Sequence, residues 1–500
     1  MKINFLGGVG QIGSNATHYQ TENASFLVDY GIKFPRFKEI GVSKIFPNLD
    51  NLPKNTSLII THIHEDHIGG LGEAYHKFKE IYAPPIAIEY ISQKFSKIKL
   101  HTKLISYNYE SHLLIDDQWS IYPFETFHST PQTYGLHFYN KQESKLITHL
   151  SDFKSNGITI FKNQNQHFDL SKIRFNEHVF LCDSTNALSS KDFDVSESVI
   201  VEELKKLLML KHKRYFISLF ASNIERIKNI SDLCEELGLK CSFLGESFAF
   251  YTKIGSSQNL CKHITQDLDA DVFLVSGSQG EKFSYLWRLA RDQADISLHE
   301  SDCVLFSSRV IPGNESQFNH MLNLLSSKTS NLYFDGEYKL HCSGHAYWGD
   351  VKVALNELKP SFVIPIHGEF FHLSRLAKKI NESELSKSQS LNNNSGFNIT
   401  NMVFNLEDTL LSEFATDSSG GRRLFPADIK ARRKMAERGI AFYNSKSNTL
   451  SAYGLPNCER VLEDINRELT TSKDSANIVL TKIKRRFEEK IGYVPILLST

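Results

Sequence analysis

Residues 61–70 read Thr-His-Ile-His-Glu-Asp-His-Ile-Gly-Gly, a dense group of histidines and acids. Its potential metal ligands lie close together and are His62, His64, Asp66 and His67. The short apolar run just before them, at 57–60, has the character of a β-strand. A strand followed by a tight turn directs these side chains toward one point, and imidazole and carboxylate are ligand types of zinc and manganese. The stretch therefore predicts a metal centre at the end of a strand.

The size and composition of the chain restrict its class. With 500 residues it is too long for one ordinary core, which predicts several domains of about 100–200 residues each. The chain is 41% hydrophobic and 23% charged, as is typical of a soluble globular protein. Lys+Arg and Asp+Glu are equal at 57 each, so the net charge does not indicate a polyanionic partner. A local basic patch remains open.

The cysteines and the apolar runs predict where the protein works. Its 7 cysteines form no C-x-x-C pair, and their odd number fits a reducing compartment better than a disulfide framework. The first residues do not read as a signal peptide. No apolar run approaches the ~18 residues that a membrane span needs. We therefore expect a cytoplasmic protein with no membrane association.

Further acids and histidines follow predicted strands in the first half of the chain. Asp29 lies toward the end of the run 25–31, His128 follows the run 121–127, and Asp152 lies toward the end of the run 145–154. Asp29 fits either a turn residue or an acid that orients metal-binding histidines from behind, as often accompanies such ligands. His128 taken alone would more often be structural. The order of these residues along the chain makes the pattern specific.

That order resembles the ligand order of the metallo-β-lactamase superfamily. The resemblance implies an αββα sandwich that holds two divalent metal ions, zinc or manganese, at one edge of its sheets. One ion would be bound by His62, His64, His128 and Asp152. The other would be bound by Asp66, His67 and the bridging Asp152. Such a pair of ions lowers the pKa of a bound water and stabilises both the attacking and the leaving oxygens of a displacement.

The middle of the chain reads as an inserted domain. Short apolar strands alternate with helical patterns from about residue 199 to residue 310, which predicts a parallel α/β insert. Three residues flank it at predicted strand ends or beside a helix, namely Asp183, His345 and His367. A lone histidine at such a place would be unremarkable, but two histidines 22 residues apart on either side of one helix are not.

These three residues match the motifs of the β-CASP branch of the superfamily, and several stretches resemble the ribonuclease J family in particular. The stretches occur in family order at 6–13, 61–70, 128–131, 220–223, 276–281, 311–315, 341–346 and 365–369. The resemblance implies that His367 completes the second metal site. It also implies that His345 contacts the scissile phosphate or protonates the leaving oxygen, that Asp183 holds His345, and that His341 and Ser343 contact RNA phosphates.

The expected fold class follows from this reading. It is α/β, a metallo-β-lactamase αββα sandwich with an inserted parallel α/β β-CASP domain and a small C-terminal α/β domain. We expect the lactamase domain at 1–185 and 336–416, the insert at 186–335, a linker at 417–424 and the small domain at 425–500. The family's small domain assists dimer formation, so a homodimer or higher homo-oligomer is expected.

The C-terminal part also carries a basic stretch. It comprises Arg422, Arg423, Lys430, Arg432, Arg433, Lys434 and Arg438. A solvated helix face and a surface for nucleic-acid phosphates are both open, and only the second would be sensitive to salt.

The expected activity is hydrolysis of single-stranded RNA by a water that two metal ions activate. The residues expected to carry the chemistry are Asp66, His67, His345 and Asp183. The resemblance implies a 5′-to-3′ exonuclease that prefers a 5′-monophosphate and allows for endonuclease activity, and the serines and glycines of 276–280 are candidates for a 5′-phosphate pocket. A DNA-directed or dual nuclease of the same branch, a non-catalytic RNA-binding subunit and a small-ester hydrolase are the alternatives.

Overall fold

The structure is a computed structural model. It describes residues 1–35, 41–96, 101–311, 313–393, 395–399, 401–405, 413–417, 423–455, 458–471, 474–491 and 493–499. The chain divides into two compact units, Met1–Lys33 with Phe46–Ser412, and Phe34–Ile45 with Glu413–Thr500. Most of the expected linker, at 418–422 and including Arg422, lies outside the described residues. The finer domain boundaries expected from the sequence remain predictions.

The first unit contains two sheets, each of eight strands in the described part of the chain. The first sheet has the order Val403–Asn405, Gly396–Asn398, Lys2–Gly7, Ala16–Gln20, Ser25–Val28, Ser57–Ile59, Glu80–Ala83 and Lys103–Ser106. The second has the order Phe161–Asn163, Trp119–Thr126, Thr133–Asn140, Lys145–Leu150, Glu177–Asp183, Phe362–Ile366 and Lys387–Ser388, with Leu113–Leu114 beside Trp119–Thr126. A short parallel pair, Val9–Gly10 with Gly368–Glu369, joins the amino-terminal turn to the segment after the second sheet.

One core lies between the two sheets. Ile3, Phe5, Tyr19, Val28 and Ile59 of the first sheet pack in the same cluster as side chains of the second. The latter are Ile121, Leu136, Phe138, Ile147, Val179, Leu181 and Ile364. Alternate residues of Lys2–Gly7 are buried, as a strand with one face on a core requires.

Helices cover the outer faces of the sandwich. A second cluster joins Phe124, Leu150 and Phe180 of the second sheet to side chains of Trp348–Leu358 and Phe370–Ser383. The remaining helical elements of this region are Glu65–Ile68, Leu71–Ala74, Pro85–Lys94 and the 3₁₀ turns Tyr75–Lys77 and Leu170–Lys172. The expected αββα arrangement is confirmed.

The insert is built on a sheet whose six described strands are all parallel. Their order is Ile264–Thr265, Cys241–Leu244, Val272–Val275, Tyr215–Ser218, Cys303–Phe306 and Leu332–Phe334. The helices that alternate with them are Glu197–Leu208, Ile224–Glu236, Glu246–Ser257, Tyr285–Ala290 and Glu315–Ser326. The parallel α/β insert expected from the alternating pattern is confirmed.

The second unit has its own small core. Thr449–Tyr453, Ile440–Asn444 and Ile496–Ser499 form one sheet, and Arg423–Leu424, Glu413–Asp417 and Val42–Pro47 form another. Its helices are Pro426–Arg438, Glu459–Thr471 and Ala476–Ile491. Val479, Ile483 and Phe487 are fully buried against Ala441 and Tyr443 of the sheet. A small α/β domain is therefore present at the C-terminal end of the described chain.

Among the helices that the structure describes, none combines the length and the hydropathy that crossing a membrane would require.

Candidate metal centre

The topology brings the predicted ligands to one edge of the sandwich. Lys145–Leu150, Glu177–Asp183 and Phe362–Ile366 are adjacent parallel strands, so their carboxyl ends share an edge. Asp152, Asp183 and His367 follow or end these strands. Ser25–Val28 and Ser57–Ile59 are likewise parallel neighbours in the facing sheet, and they are followed by Asp29 and by His62 to His67. Ligands at the carboxyl ends of neighbouring parallel strands meet in a crevice outside the sheet.

The first ligand cluster joins three histidines and one aspartate. The atoms of His62, His64, His128 and Asp152 that face one another lie within 4.8 Å. His64 Nδ1 stands 3.2 Å from His62 Nε2 and 3.0 Å from His128 Nε2. Asp152 Oδ2 lies 3.5 Å from both of those Nε2 atoms.

The second cluster joins Asp66, His67, Asp152 and His367, again within 4.8 Å. Asp66 Oδ2 lies 3.0 Å from His367 Nε2 and 3.7 Å from His67 Nε2. Asp152 Oδ1 lies 3.3 Å from His67 Nε2 and 3.8 Å from His367 Nε2. Asp152 therefore presents one oxygen to each cluster.

The carboxylate of Asp152 is buried without a hydrogen-bonded partner. Its residue is 1% exposed, and neither oxygen accepts a hydrogen bond from the described residues. An unpaired buried carboxylate is strongly unfavourable unless a cation balances it. The surrounding imidazole nitrogens point at it from ion-pair distances. Asp152 therefore presents a buried negative charge to both clusters, which a bound cation would balance.

The donor set of both clusters fits divalent metal ions. Four tetrahedral ligands of zinc, each about 2.0–2.1 Å from the ion, lie roughly 3.3 Å from one another. Four of the six separations between ligand atoms of the first cluster are 3.0 to 3.5 Å, which agrees with that spacing. Imidazole and carboxylate suit both zinc and manganese, so the donors fit either ion.

The electrostatics of the first cluster favour neutral imidazoles. Burial lowers the pKa of His62 to about 4 and that of His64 to about 3. Burial also places the pKa of His128 well below its ordinary value. All three rings are neutral at pH 7 and carry a nitrogen lone pair, which is the form that binds metal.

The second cluster concentrates negative charge. Burial alone would lower the pKa of His67 and His367, but the Asp152 and Asp66 carboxylates raise both above the ordinary value. Burial would raise the pKa of Asp66, and His67 and His367 instead lower it far below its usual range. This cluster therefore attracts a cation, either protons on the histidines or a metal ion that displaces them.

Asp29 orients one histidine of each cluster. Its backbone is left-handed, with φ of 61°, and its carboxylate is buried behind the ligands. Asp29 Oδ2 accepts a hydrogen bond from His67 Nδ1 at 2.7 Å and another from the Thr61 hydroxyl at 2.7 Å. Thr61 Oγ1 in turn lies 3.0 Å from His62 Nδ1 and accepts its hydrogen. Both rings are thereby held with Nε2 toward the clusters.

Asp183 repeats this arrangement on the opposite side. Asp183 Oδ2 accepts a hydrogen bond from His345 Nδ1 at 2.9 Å, and Oδ1 accepts one from the Thr185 hydroxyl at 2.7 Å. Thr185 Oγ1 accepts the hydrogen of His367 Nδ1 at 2.7 Å. An aspartate thus contacts one histidine directly and a second through a threonine in both places.

His345 stands at the mouth of the centre. Its side chain is 24% exposed, and Nδ1 lies 3.8 Å from Asp152 Oδ2. Burial would lower its pKa, but the Asp152 and Asp183 carboxylates raise the pKa of His345 to about 9. Nε2, the nitrogen that does not contact Asp183, is the atom that takes up the second proton.

His341 and Ser343 lie in the segment that leads to His345, outside both clusters. The backbone N–H groups of His341 and Ser343 donate to Asp335 at 3.0 Å and to Asp194 at 2.9 Å. Burial, with the nearby Arg226 and Arg309, lowers the pKa of His341 to about 4. Ser343 Oγ accepts from Asn186 Nδ2 at 2.9 Å.

Sequence reasoning missed the residues that hold the ligands in place. Thr61, Thr185 and Asn186 were not predicted, nor was the Gly344 carbonyl that accepts a hydrogen bond from His128 Nδ1 at 2.7 Å. A weak signal existed, because Thr61 precedes His62 directly, and Ser-Thr-Asn follows Asp183 directly. Their partners are distant in sequence, so adjacency alone could not assign them.

Three family models match the chain. They are the metallo-β-lactamase superfamily at residues 9–135, the ribonuclease J β-CASP domain at 212–325, and the Zn-dependent metallo-hydrolase RNA specificity domain at 337–388. The first two cover residues 62–67 of the metal loop and most of the insert.

Known proteins resemble the chain over most of its length. Ribonuclease J 1 of Streptococcus pyogenes is 30% identical over 388 residues, which are 73% of this chain and 68% of that protein. Ribonuclease J of Mycoplasma genitalium is 30% identical over 406 residues, which are 76% of this chain and 70% of that protein. A crystal structure of a protein of unknown function from Enterococcus faecalis shares the fold, with a TM-score of 0.55 at 13% identity, over 79% of this chain and 99% of that one.

Proposed function

The chain belongs to the ribonuclease J family, hydrolases of the metallo-β-lactamase superfamily, and we propose that it hydrolyses RNA with two divalent metal ions. The observation that carries the proposal is Asp152, whose two buried oxygens accept no hydrogen bond from the described residues and each face one cluster of histidines and carboxylates. His62, His64 and His128 would hold one ion with Asp152, and Asp66, His67 and His367 the other. Zinc and manganese both suit these ligands. Ions bound there would supply a nucleophilic water at neutral pH and neutralise the phosphate charge.

His345 is the residue we assign to the leaving oxygen. Phosphodiester hydrolysis needs a proton for the alkoxide that departs, and a positioned histidine contributes about 10²–10⁴-fold to such a step. Its Nδ1 is fixed on Asp183, so Nε2 is free to donate toward the mouth of the centre. Asp183 orients the ring and balances its charge. Replacement of His345 by Ala should lower turnover by that factor while both metal clusters persist.

The segment from His341 to His345 is proposed to contact the RNA backbone. Ser343 Oγ accepts hydrogen bonds from Asn186 Nδ2 and from the backbone N–H of His345, at 2.9 and 3.1 Å. Its hydroxyl hydrogen can therefore donate to a phosphate oxygen. The family model described as an RNA specificity domain spans residues 337–388 and includes this segment, which supports RNA as the substrate.

A pocket for the 5′ end is proposed in the insert. Ser218 ends a strand whose parallel neighbours end at Val275 and Phe306, so Ser218, Ser276 and Ser307 lie along one sheet edge. The hydroxyls of Ser218 and Ser308 are buried and have no hydrogen-bond partner among the described residues. Backbone N–H groups in turns with left-handed glycines, here Gly277 with φ of 124°, commonly bind phosphate. This pocket supports a 5′-to-3′ exonuclease that prefers a 5′-monophosphate, with endonuclease activity on longer strands.

One experiment tests both the end preference and the metal. RNAs of one sequence with a 5′-monophosphate or a 5′-triphosphate are digested by the same enzyme, each with and without added Mn²⁺ or Zn²⁺. We expect stepwise release of nucleotides from the monophosphate end and strong dependence on a metal ion. Equal cleavage rates for the 5′-monophosphate and the 5′-triphosphate RNA, or full activity after chelation of the metal, would contradict the proposal.

The choice of RNA over DNA is tested separately. Matched RNA and DNA strands with the same 5′-monophosphate are digested side by side, because contacts to the 2′-hydroxyl are what distinguish RNA. We expect RNA to be the better substrate. Comparable turnover of the DNA strand would favour a dual nuclease of the same branch.

We also propose a cytoplasmic, homo-oligomeric enzyme. All seven cysteines are free and buried, which suits a reducing compartment. Self-association rests on the resemblance of the C-terminal unit to the family's small domain. Light scattering on the purified full chain would show a dimer or larger species, and a monomer at micromolar concentration would contradict this part.

A further inference from the structure

Arg226 is a fully buried guanidinium in the insert. It lies near the start of Ile224–Glu236 and heads the largest side chains that are wholly buried in the described chain. A buried arginine is tolerated only when its charge is paired and its N–H groups are bonded. The hydrogen-bond partners of the Arg226 guanidinium therefore indicate its role.

Arg226 forms a two-point ion pair with Glu197. Arg226 Nε donates to Glu197 Oε2 at 2.6 Å, and Nη2 donates to Oε1 at 3.0 Å. The Cys342 thiol also donates to Glu197 Oε1, at 3.1 Å. Planar pairs of this kind are the geometrically specific form of charged hydrogen bond.

The remaining donors of Arg226 bind two segments that are far apart in sequence. Nη1 donates to Ser307 Oγ at 2.6 Å and to the Leu340 carbonyl at 3.1 Å. Nη2 donates to Cys342 Sγ at 3.4 Å. The Ser307 hydroxyl itself donates to the Leu340 carbonyl at 2.7 Å. Arg226, Ser307 and Leu340 thus form one bonded network.

Each of the two segments leads to a different part of the proposed site. Ser307 directly precedes Ser308, whose buried hydroxyl faces no partner, and the Ser307 N–H donates to the Ser218 carbonyl at 2.8 Å. These residues belong to the proposed 5′-phosphate pocket. Leu340 and Cys342 open the segment that carries Ser343 and His345, the residues assigned to the scissile phosphate.

We propose that Arg226 is a positioning residue that couples the 5′-phosphate pocket to the scissile site. Its guanidinium fixes Ser307 relative to the segment from Leu340 to His345, so that a phosphate bound in the pocket places the first phosphodiester at His345. This inference rests on the proposed function, because it presumes that the pocket takes a 5′-phosphate. Because Arg226 is fully buried, it acts in this proposal through its bonded partners.

The test compares two RNAs of one sequence, one with a 5′-monophosphate and one with a 5′-hydroxyl. The measured quantity is the ratio of their kcat/KM values for the wild type, Arg226→Lys, Ser307→Ala and Cys342→Ala. Lysine keeps the charge but cannot form the two-point pair and the other bonds together. We expect the ratio to fall by at least about tenfold in Arg226→Lys, and by a smaller factor in the two milder variants.

Arg214→Lys is the matched control. Arg214 forms a comparable pair in the same domain, with Nε 3.0 Å and Nη2 2.6 Å from Asp302, but it makes no bond to the segment from Leu340 to His345. It should lower the melting temperature and leave the ratio unchanged. If Arg226→Lys fails to fold, Ser307→Ala and Cys342→Ala still remove single links.

The outcomes distinguish a failure of the 5′-monophosphate preference from a failure of the coupling through Arg226. A wild type that does not distinguish the two 5′ ends refutes the 5′-monophosphate preference, and the coupling with it. A wild type that distinguishes them, with the same ratio in every Arg226, Ser307 and Cys342 variant, refutes the coupling alone. Equal loss on both RNAs would likewise show that Arg226 is only structural.

Discussion

Asp29 and Asp183 each hold two histidines, one directly and one through a threonine. Thr61 relays Asp29 to His62, and Thr185 relays Asp183 to His367. Carboxylates behind metal-binding histidines fix the ring orientation and raise ligand basicity. The two relays therefore act on different clusters, one on each side of Asp152.

Replacing each threonine by valine tests the relays separately. The side chains have similar shape, so Thr61→Val and Thr185→Val remove the hydroxyl and leave the packing. We expect each change to weaken binding of one of the two proposed ions by about 10–100-fold, as is typical for the partners of metal-binding histidines. Metal titration followed by calorimetry measures this directly. If both variants bind metal as tightly as the wild type, the threonine relays do not contribute to metal affinity.

At the scale of elements, a chain of buried hydrogen bonds joins the sheet and helix behind the site. His178 Nδ1 donates to the Leu358 carbonyl at 3.0 Å, and His178 Nε2 lies 2.8 Å from Thr148 Oγ1. The Thr148 hydroxyl therefore donates to His178, which requires a neutral ring. Burial lowers the pKa of His178 to about 3.

This histidine predicts a loss of stability in acid. The pKa of His178 is lower in the folded than in the unfolded protein, so its contribution is full above about pH 6.5 and declines as pH falls toward 3. Between pH 5.5 and 4.5, protonation of His178 in the unfolded chain lowers the free energy of unfolding by about 1.4 kcal/mol per pH unit. Urea unfolding in chelator should give a shallower pH dependence for His178→Gln than for the wild type. Parallel curves would contradict the prediction.

The helix Pro426–Arg438 decides between the two readings of the basic stretch. Lys430, Lys434 and Arg438 are exposed and lie four residues apart, so they form one stripe on the helix. If they contact RNA phosphates, replacing all three by Ala should lower the slope of log affinity against log salt by about 2, at roughly 0.7 per phosphate of a single strand. Filter binding at several salt concentrations measures the slope.

The control for this experiment keeps the charge. Lys430→Arg, Lys434→Arg and Arg438→Lys combined should retain the wild-type slope. An alanine variant with the wild-type slope as well would assign the stripe to a solvated helix face.

The sequence pattern predicted the ligands at strand ends, but it did not predict the hydrogen bonds that hold those ligands in place. His62, Asp152 and His367 follow short apolar strands, and parallel strands deliver their ends to one edge, so pattern reasoning could group them. Thr185 acts through a rotamer that faces His367, 182 residues away. The segment Phe34–Ile45 groups with the C-terminal unit through pairing that no local pattern encodes. Arg226 lies near the start of a helix, and no local sequence pattern indicates that its side chain is fully buried.

At the scale of the whole molecule, the insert separates the ligands of one metal centre. Asp66 and His67 precede it and His367 follows it, yet their ligand atoms meet within 4.8 Å. The parts of the sandwich that precede and follow the insert in sequence must therefore fold together before the second cluster can form. The insert supplies the proposed pocket for the 5′ end, and the sandwich supplies the chemistry.

The most direct measurement is the single-turnover rate at which the full chain cleaves a 5′-monophosphorylated RNA in the presence of Mn²⁺. The wild type, Asp66→Ala and Glu65→Gln are compared at equal concentrations of folded protein. Glu65 is the matched control, because it adjoins Asp66 and its carboxylate accepts a hydrogen bond from the Tyr90 hydroxyl at 2.6 Å. We expect a loss of at least about 10³-fold for Asp66→Ala and little change for Glu65→Gln. Cleavage by folded Asp66→Ala at the wild-type rate would contradict this expectation.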